Sequence, residues 1–261
     1  MSEHICMFGI PFSRHTLSSA TKAIIKHAKE KQQTSLVATA NVDFIITAKS
    51  DPDFHKILKQ AALITADGMP LVWLSKIMPD KRIPERVTGT GLLLSICAAA
   101  ANSNLSVAFV GALPGVAEKA KEKLVALNPQ LNVVATHCPP FGFENNTTQS
   151  MEIIEICRTT KPDILFFGVG CPKQEKWCDK YLDQLNTGSV ICVGGAFSFA
   201  AGTINRAPRW MRMSGLEWLH RLVQEPGRLW KRYLIKDSLF IFYAAQELCK
   251  AWCNRISQYR K

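Results

Sequence analysis

The stretch Asp163–Trp177, DILFFGVGCPKQEKW, decides the fold. Bulky apolar residues run unbroken from Ile164 to Phe167 and stop at Gly168-Val169-Gly170. Pro172 and a charged, polar segment follow at once. A short apolar run with no polar alternation is a strand covered on both faces, and such strands belong to parallel sheets. The proline suits the first turn of a helix. The unit is strand, glycine turn, helix, and it recurs along the chain. Strands are predicted over Ser35–Ala40, Ala61–Ala66, Leu105–Gly111, Asn132–His137, Asp163–Gly170 and Ser189–Gly195. Helices are predicted over Thr16–Lys31, Leu92–Ala101, Val116–Leu127, Thr148–Thr159 and Pro172–Asn186. The fold class is therefore α/β, a Rossmann-like and mostly parallel sheet flanked by helices.

Ligands of such sheets bind outside the carboxyl ends of the strands. There the chain places Thr39-Ala40-Asn41, Asp67-Gly68, Gly111 to Gly115, Gly168-Val169-Gly170 and Gly194-Gly195. Glycines let backbone N–H groups approach phosphate, and a helix N-terminus adds partial positive charge. Each feature also has a plainer reading. Asp67-Gly68 is equally a turn, and Thr39 and Asn41 are equally a helix cap or Asx turn. Arg86, in RVTGTG, offers a rigid fork for a diphosphate, although the segment also reads as an N-cap. Glu175 suits the dipole of the helix that Pro172 opens. In SDPDF, Ser50–Phe54, the carboxylates read as a cap. No complete G-x-G-x-x-G or Walker pattern is present, which weakens NAD and ATP readings.

The charge is uneven. The chain of 261 residues carries a net +11, yet residues 203–261 alone hold twelve Lys/Arg against four Asp/Glu, and four of the six tryptophans. Six arginines, Arg206, Arg209, Arg212, Arg221, Arg228 and Arg232, fall within that tail. A basic, aromatic tail on a nearly neutral body implies an anionic partner: nucleic acid, a phospholipid surface or a phosphorylated substrate. Ser214-Gly-Leu-Glu217 has the pattern of a capping box for a helix reaching about Glu225, and Pro226 suits the start of a second helix. Two domains are expected: a sheet domain over 1–203 and a basic, aromatic helical appendage over 204–261. The longest apolar run of the tail, Leu239–Ala245, is far short of the roughly 20 residues that span a bilayer. Nine cysteines without paired or zinc-like spacing fit reduced thiols, and the six histidines form no ligand pattern. The opening MSEHICMFGI lacks the form of a signal peptide, so a soluble or peripheral protein is expected.

TANVDFI, ITADGMPLVW, ERVTGTG, FFGVGCPKQEKW, VGGAFSFAAGTINRAP and GLEWLHRLVQEPGRLWKRYL occur in this order. Together they resemble the WecG/TagA/CpsF family of bacterial glycosyltransferases, over roughly Ser35 to Leu234. The resemblance implies inverting transfer of a sugar from a UDP-sugar to a polyprenyl-diphosphate-linked sugar, in surface polysaccharide synthesis. N-acetylmannosamine, its uronic acid and glucose all fit the pattern, with the first two preferred. It also implies a cytoplasmic protein, peripheral on the inner leaflet of the membrane, with self-association into a homo-oligomer left open. By resemblance Asp67 is the general base and Arg86 acts beside it. Thr39 and Asn41 lie near the sugars, and Gln174, within Pro172–Glu175, lies near the nucleotide. Arg221 and Arg228 come from the appendage, with a third arginine at Lys231 or, preferably, Arg232. The expected substrate-binding set also includes Gly168, Gly170, Lys173, Gly195, Arg206 and Arg209. One departure is Ser198, where many members carry an aspartate. No cofactor or metal is expected, since the Asp-x-Asp of the chain, Asp51-Pro52-Asp53, reads as a helix cap and arginines would replace a divalent ion.

Two rival readings come from other classes. A non-enzymatic RNA-binding protein with a basic tail would show salt-sensitive nucleic-acid affinity, yet no RNP-type motif is present. An NAD-dependent oxidoreductase is disfavoured by the missing glycine fingerprint.

Overall fold

The computed structural model describes residues 4–30 and 33–259; the side chains of Arg228, Gln258 and Tyr259 lie outside that description. The chain opens on a hairpin, β1 (His4–Met7) and β2 (Ile10–Ser13), then α1 (Leu17–Glu30). The body continues through β3 (Ser35–Ala40), α2 (Val42–Ser50), α3 (Pro52–Gln60), β4 (Leu63–Ala66), α4 (Met69–Ile77), α5 (Gly89–Ala101) and β5 (Ser106–Gly111). Then come α6 (Val116–Leu127), β6 (Asn132–His137), α7 (Thr147–Thr160), β7 (Ile164–Gly168), α8 (Lys173–Tyr181), β8 (Ser189–Cys192) and α9 (Ala196–Ala201). The tail is helical: α10 (Arg209–Met213), α11 (Glu217–Gln224), α12 (Pro226–Trp230), a π-helical segment (Lys231–Lys236) and α13 (Leu239–Tyr259).

The main sheet is six-stranded, in the order β4-β3-β8-β7-β5-β6, and every pairing in it is parallel. Every residue of β3, β4, β7 and β8 is buried, which is why these strands read as unbroken apolar runs. One face packs Phe109, Phe166 and Ile191 under α1, α5, α6 and α9. The other packs Phe167, Val190 and Cys192 under α7 and α8, where Trp177 stacks flat on Phe167 with centroids 4.8 Å apart. Burying each such aromatic side chain contributes about 1.5–3 kcal/mol. The turn after β8 and the start of α9 come so close to Gly168 that a Cβ there would lie 2.7 Å from the Gly194 carbonyl and 2.9 Å from the Phe197 ring.

The alternation of strands and helices matches the sequence expectation. The predicted helix over Pro172–Asn186 is shorter, because α8 ends at Tyr181 and tightens into a 3₁₀ turn over Leu182–Gln184. Asp51 caps α3, accepting from the Phe54 N–H at 3.0 Å, as SDPDF suggested. The capping box at Ser214 does not form: its hydroxyl donates back to the Trp210 carbonyl, Gly215 turns into the left-handed region, and α11 starts at Glu217 without a side-chain cap. Glu217 is spent elsewhere, on Arg86. The hairpin was not predicted. Its turn, Phe8-Gly9, has both residues at positive φ, the geometry that joins two strands directly, but an unbroken apolar stretch hides the period of two.

The tail docks on the sheet domain through a mixed contact. Leu229, Phe240 and Ala251 are buried, and Phe240 meets Phe8 of the hairpin turn at 5.8 Å. Lys236 Nζ reaches Asp43 Oδ1 at 2.6 Å and Thr47 Oγ1 at 2.9 Å on α2. Among the described residues no helix is long and apolar enough to cross a membrane.

Gly168→Ala should destabilise the protein by about 1–3 kcal/mol, because backbone and ring must move to admit a methyl group. Gly227→Ala, where nothing stands within 4 Å of the added atom, is the control and should be neutral or slightly stabilising. Urea midpoints at constant m-value compare them; equal midpoints would show that the sheet ends are not tightly packed at Gly168.

Candidate active site

Connections leave β5 and β7 in opposite directions, outward to β6 and inward to β8. The adjacent ends Gly111 and Gly168 therefore mark the place where an open parallel sheet leaves a crevice. Gly168 and Gly170 both lie there, and Gly170, at φ +95°, occupies a conformation that favours glycine. The crevice wall continues across β8 and β3 to β4. The Asp67 N–H bonds to the Ala40 carbonyl, Gly68 lies against Asn41, and Gly89 at the start of α5 lies against Val193 and Thr39.

Asp67 sits at the end of β4, held by an N–H···O bond from Gly89 to its Oδ2 at 3.2 Å. Burial pushes its carboxyl up to about 6. Arg86 and the Gly89 N–H oppose the shift, Glu217 adds to it, and Arg221 opposes it. The carboxylate thus has the environment of a general base poised near neutrality. Arg86 gives Nη2 to Glu217 Oε2 at 2.8 Å, both side chains being largely buried. Glu217 belongs to α11, so this bond draws the tail over the end of β4. Arg221, one turn further along α11, stacks over the Phe199 ring at 5.4 Å. Its guanidinium comes within 3.6 Å of where a side chain on Gly195 would begin, and a glycine there leaves it room.

The remaining predicted residues have mixed placements. The Thr39 hydroxyl is buried and donates to the Cys192 carbonyl at 3.0 Å, joining β3 to the end of β8. Asn41 caps α2 through the Phe44 N–H and also accepts from Arg232 Nη2, both at 3.4 Å. Arg232 further faces Asp43 at 3.5 Å and Asp237 at 3.9 Å. Gln174 is 1% exposed: its Oε1 accepts from the Gly170 N–H and its amide donates to Glu175, so it shapes the Gly170 loop from beneath. Lys173 pairs with Glu144 at 3.9 Å and stands over the exposed Phe141 ring. Arg206 and Arg209 line a cleft together with Arg86 and Arg212. The side chain of Arg228 lies outside the described residues.

Sequence reasoning missed two groups. Glu217 was seen only as part of a helix cap, and its partnership with Arg86 spans 131 positions, too far for any local pattern to show. Glu175 was read as a dipole partner, yet it is fully buried; burial pushes it up to about 7 and its Oε2 finds no partner. No group of three or more His, Cys, Asp or Glu side chains arranged to hold a metal ion occurs among the described residues.

The model of the glycosyl transferase WecG/TagA/CpsF family matches residues 5–254. An N-acetylglucosaminyldiphosphoundecaprenol N-acetyl-beta-D-mannosaminyltransferase of Bacillus subtilis (strain 168) is 26% identical over 227 residues, 86% of this chain and 85% of its own. A protein of the same description from Staphylococcus aureus (strain MW2) is 27% identical over 237 residues, 90% of this chain and 89% of its own. A match over nearly the whole length, on a parallel sheet with a carboxylate at a strand end, identifies this chain as a member of the WecG/TagA/CpsF family of glycosyl transferases.

Proposed function

We propose that this protein transfers N-acetylmannosamine, or its uronic acid, from a UDP-sugar to a sugar carried on a polyprenyl diphosphate. The observation that supports it best is the convergence on Asp67 of Arg86 and, from the tail, Arg221. A carboxyl raised to about 6 lies within electrostatic reach of both Arg86 and Arg221. The relatives' names supply the acceptor class, N-acetylglucosamine on undecaprenyl diphosphate, and a β-linked product.

In this reading Asp67 takes the proton from the acceptor hydroxyl as its oxygen attacks the anomeric carbon. The bond from that carbon to the donor's diphosphate oxygen breaks, and its electron pair leaves with UDP. One displacement inverts the centre, so an α-linked donor gives a β-linked product. Arg86 and Arg221 neutralise charge developing on the leaving diphosphate, a role that bidentate guanidinium fills well. Guanidinium groups thus do the work often given to a divalent ion. Thr39 and Asn41 hold the ends of β3 where the sugars meet. Gly168 and Gly170 present backbone to the nucleotide, and buried Gln174 keeps the Gly170 loop in shape.

The tail carries Trp210, Met213, Trp218, Val223, Trp230 and Ile241 in exposed positions beside its arginines and lysines. Apolar and cationic side chains mixed on one helical surface suit the inner face of a membrane, where the lipid-linked acceptor lies. The tail over 204–261 is then both anchor and lid. Closing it over the crevice supplies Arg221 and keeps water from the donor.

The direct test is UDP release from UDP-N-acetylmannosamine with a short-chain diphosphate-linked N-acetylglucosamine. Asp67→Asn should lose about 10²–10⁴-fold in kcat and still bind UDP; near-normal turnover would reduce Asp67 to a turn residue. Activity should rise with pH through about 6 on its acidic limb and flatten above, because the base must be ionised.

Stability should run the other way. A carboxyl whose folded-state pKa lies above its unfolded value costs stability once both states are ionised. Asp67→Asn should therefore match the parent near pH 4 and exceed it by about 1–3 kcal/mol above pH 6. Chemical denaturation at both pH values checks this, and an equal gap at the two would show that the carboxyl is not perturbed.

Removing residues 204–261 should leave a folded sheet domain of lower Tm, since Phe8 loses Phe240, and almost no transferase activity. Full activity of the truncated chain would end the lid proposal.

A further inference from the structure

Away from the tail, the sheet domain has a basic recess of its own. A cavity of about 480 Å³ opens at the end of α4 and in the loop that follows it. Arg14, Lys76, Lys81 and Arg82 line it, and Asp80 brings the one carboxylate. Arg14, which follows β2, is fixed there by its Nη2, which donates to the Asp80 carbonyl at 2.8 Å. Its Nε is buried and has no hydrogen-bond partner. Lys81 is shared with Glu247 of α13 at 3.7 Å. Among the described residues Arg14, Lys76 and Arg82 form no ion pair with a carboxylate. Like charges gathered in one recess oppose one another until an anion answers them.

The recess sits beside apolar surface. Trp73 and Ile77 are four apart on α4, so they share one face, and they are 45% and 58% exposed. The Trp73 ring lies against Gly215, between α10 and α11. That face of α4 therefore runs on into the exposed Trp210 and Met213 of the tail. A free phosphate has no use for an apolar ridge at its side. A phosphate esterified to a lipid does, because headgroup and hydrocarbon arrive together.

From this we infer that α4 and the loop after it carry a seat for the phosphate of an acidic phospholipid, held by Arg14, Lys76 and Arg82, with Trp73 and Ile77 entering the interface beside it. The inference rests on the membrane reading of the tail and adds to it a contact made by the sheet domain. A tail bound alone would leave the sheet domain free to turn about its point of attachment. A second contact at α4 fixes which side of the domain faces the bilayer.

Co-sedimentation of the full chain with phosphatidylcholine vesicles, with and without phosphatidylglycerol, tests the seat. Lys76→Ala/Arg82→Ala removes two exposed charges from the recess. Lys119→Ala/Lys123→Ala removes two exposed charges from α6, at the β6 edge of the sheet, and controls for bulk attraction. The recess variant should weaken binding to phosphatidylglycerol vesicles by about tenfold or more, and the α6 variant by less than about threefold. Ile77→Ser should weaken it by about threefold or more and leave its salt dependence unchanged. UDP release with a soluble short-chain acceptor should stay within about twofold of the parent for all three variants, since the recess lies outside the crevice. Equal loss from the two charge variants would leave only bulk attraction and overturn the inference. Transferase activity lost in solution would overturn it by giving the recess to the reaction. Calorimetric titration with inorganic phosphate is the last arm: phosphate binding abolished in the recess variant, with vesicle binding intact, would overturn it in favour of a free-anion site. A parent that sediments with acidic vesicles, matched by the recess variant, would sink the seat alone. A parent that sediments with neither kind of vesicle would sink the membrane reading and the seat together.

Discussion

The charge of the Asp67 carboxyl is made costly by burial but not forbidden, and the docking of the tail depends on the same balance. Burial at the end of β4 raises the cost, while Arg86, the Gly89 N–H and Arg221 lower it. Two of these groups are local to the sheet domain. Arg221 is not, and it reaches the site because α11 is pinned there by Glu217 on Arg86. Glu217 itself raises the Asp67 pKa, so the residue that docks the tail also keeps this carboxyl from ionising too readily. Docking and acidity are thereby one electrostatic arrangement.

A second clasp holds the tail at α2. Asp43 and Asp237 flank Arg232 and Lys236, with Asp237 pushed up to about 6 mainly by burial, while the fully buried Glu175, pushed up to about 7, feels the charge of Asp43. Ion pairs in such places return little net stability, because taking charges out of water offsets most of their attraction. Their use is geometric. Lys236 and Arg232 sit four residues apart in the π-helical segment and fix which way it faces, and the apolar contact of Phe240 with Phe8 supplies binding free energy. Polar contacts choose the pose, and greasy ones hold it.

The same division runs through the tail's outer surface. Its tryptophans and aliphatic side chains stay exposed because the sheet domain has no further apolar face to offer; both faces of the sheet are already covered. It is this surface that the proposed function turns toward a membrane.

Much of this was legible in the sequence. Strands buried on both faces show as continuous apolar runs, and glycines mark their ends where neighbouring backbone and side chains leave a Cβ no room, as at Gly168. The parallel sheet, the strand-end position of Asp67 and the basic, aromatic tail followed from patterns of that local kind. Other features were invisible for a physical reason. The hairpin hid in an apolar stretch without alternation. Gln174 and Glu175 read as polar helix-start residues and turned out to be buried, because the side of a helix that faces the core is set by packing. Glu217 reads as a cap, and only the approach of α11 to Arg86 makes it an ion-pair partner. A chain's own pattern determines which segments form strands and helices, since those preferences act over a few residues. Which charged groups meet depends on how distant segments fold back on one another, and that is decided by tertiary structure alone.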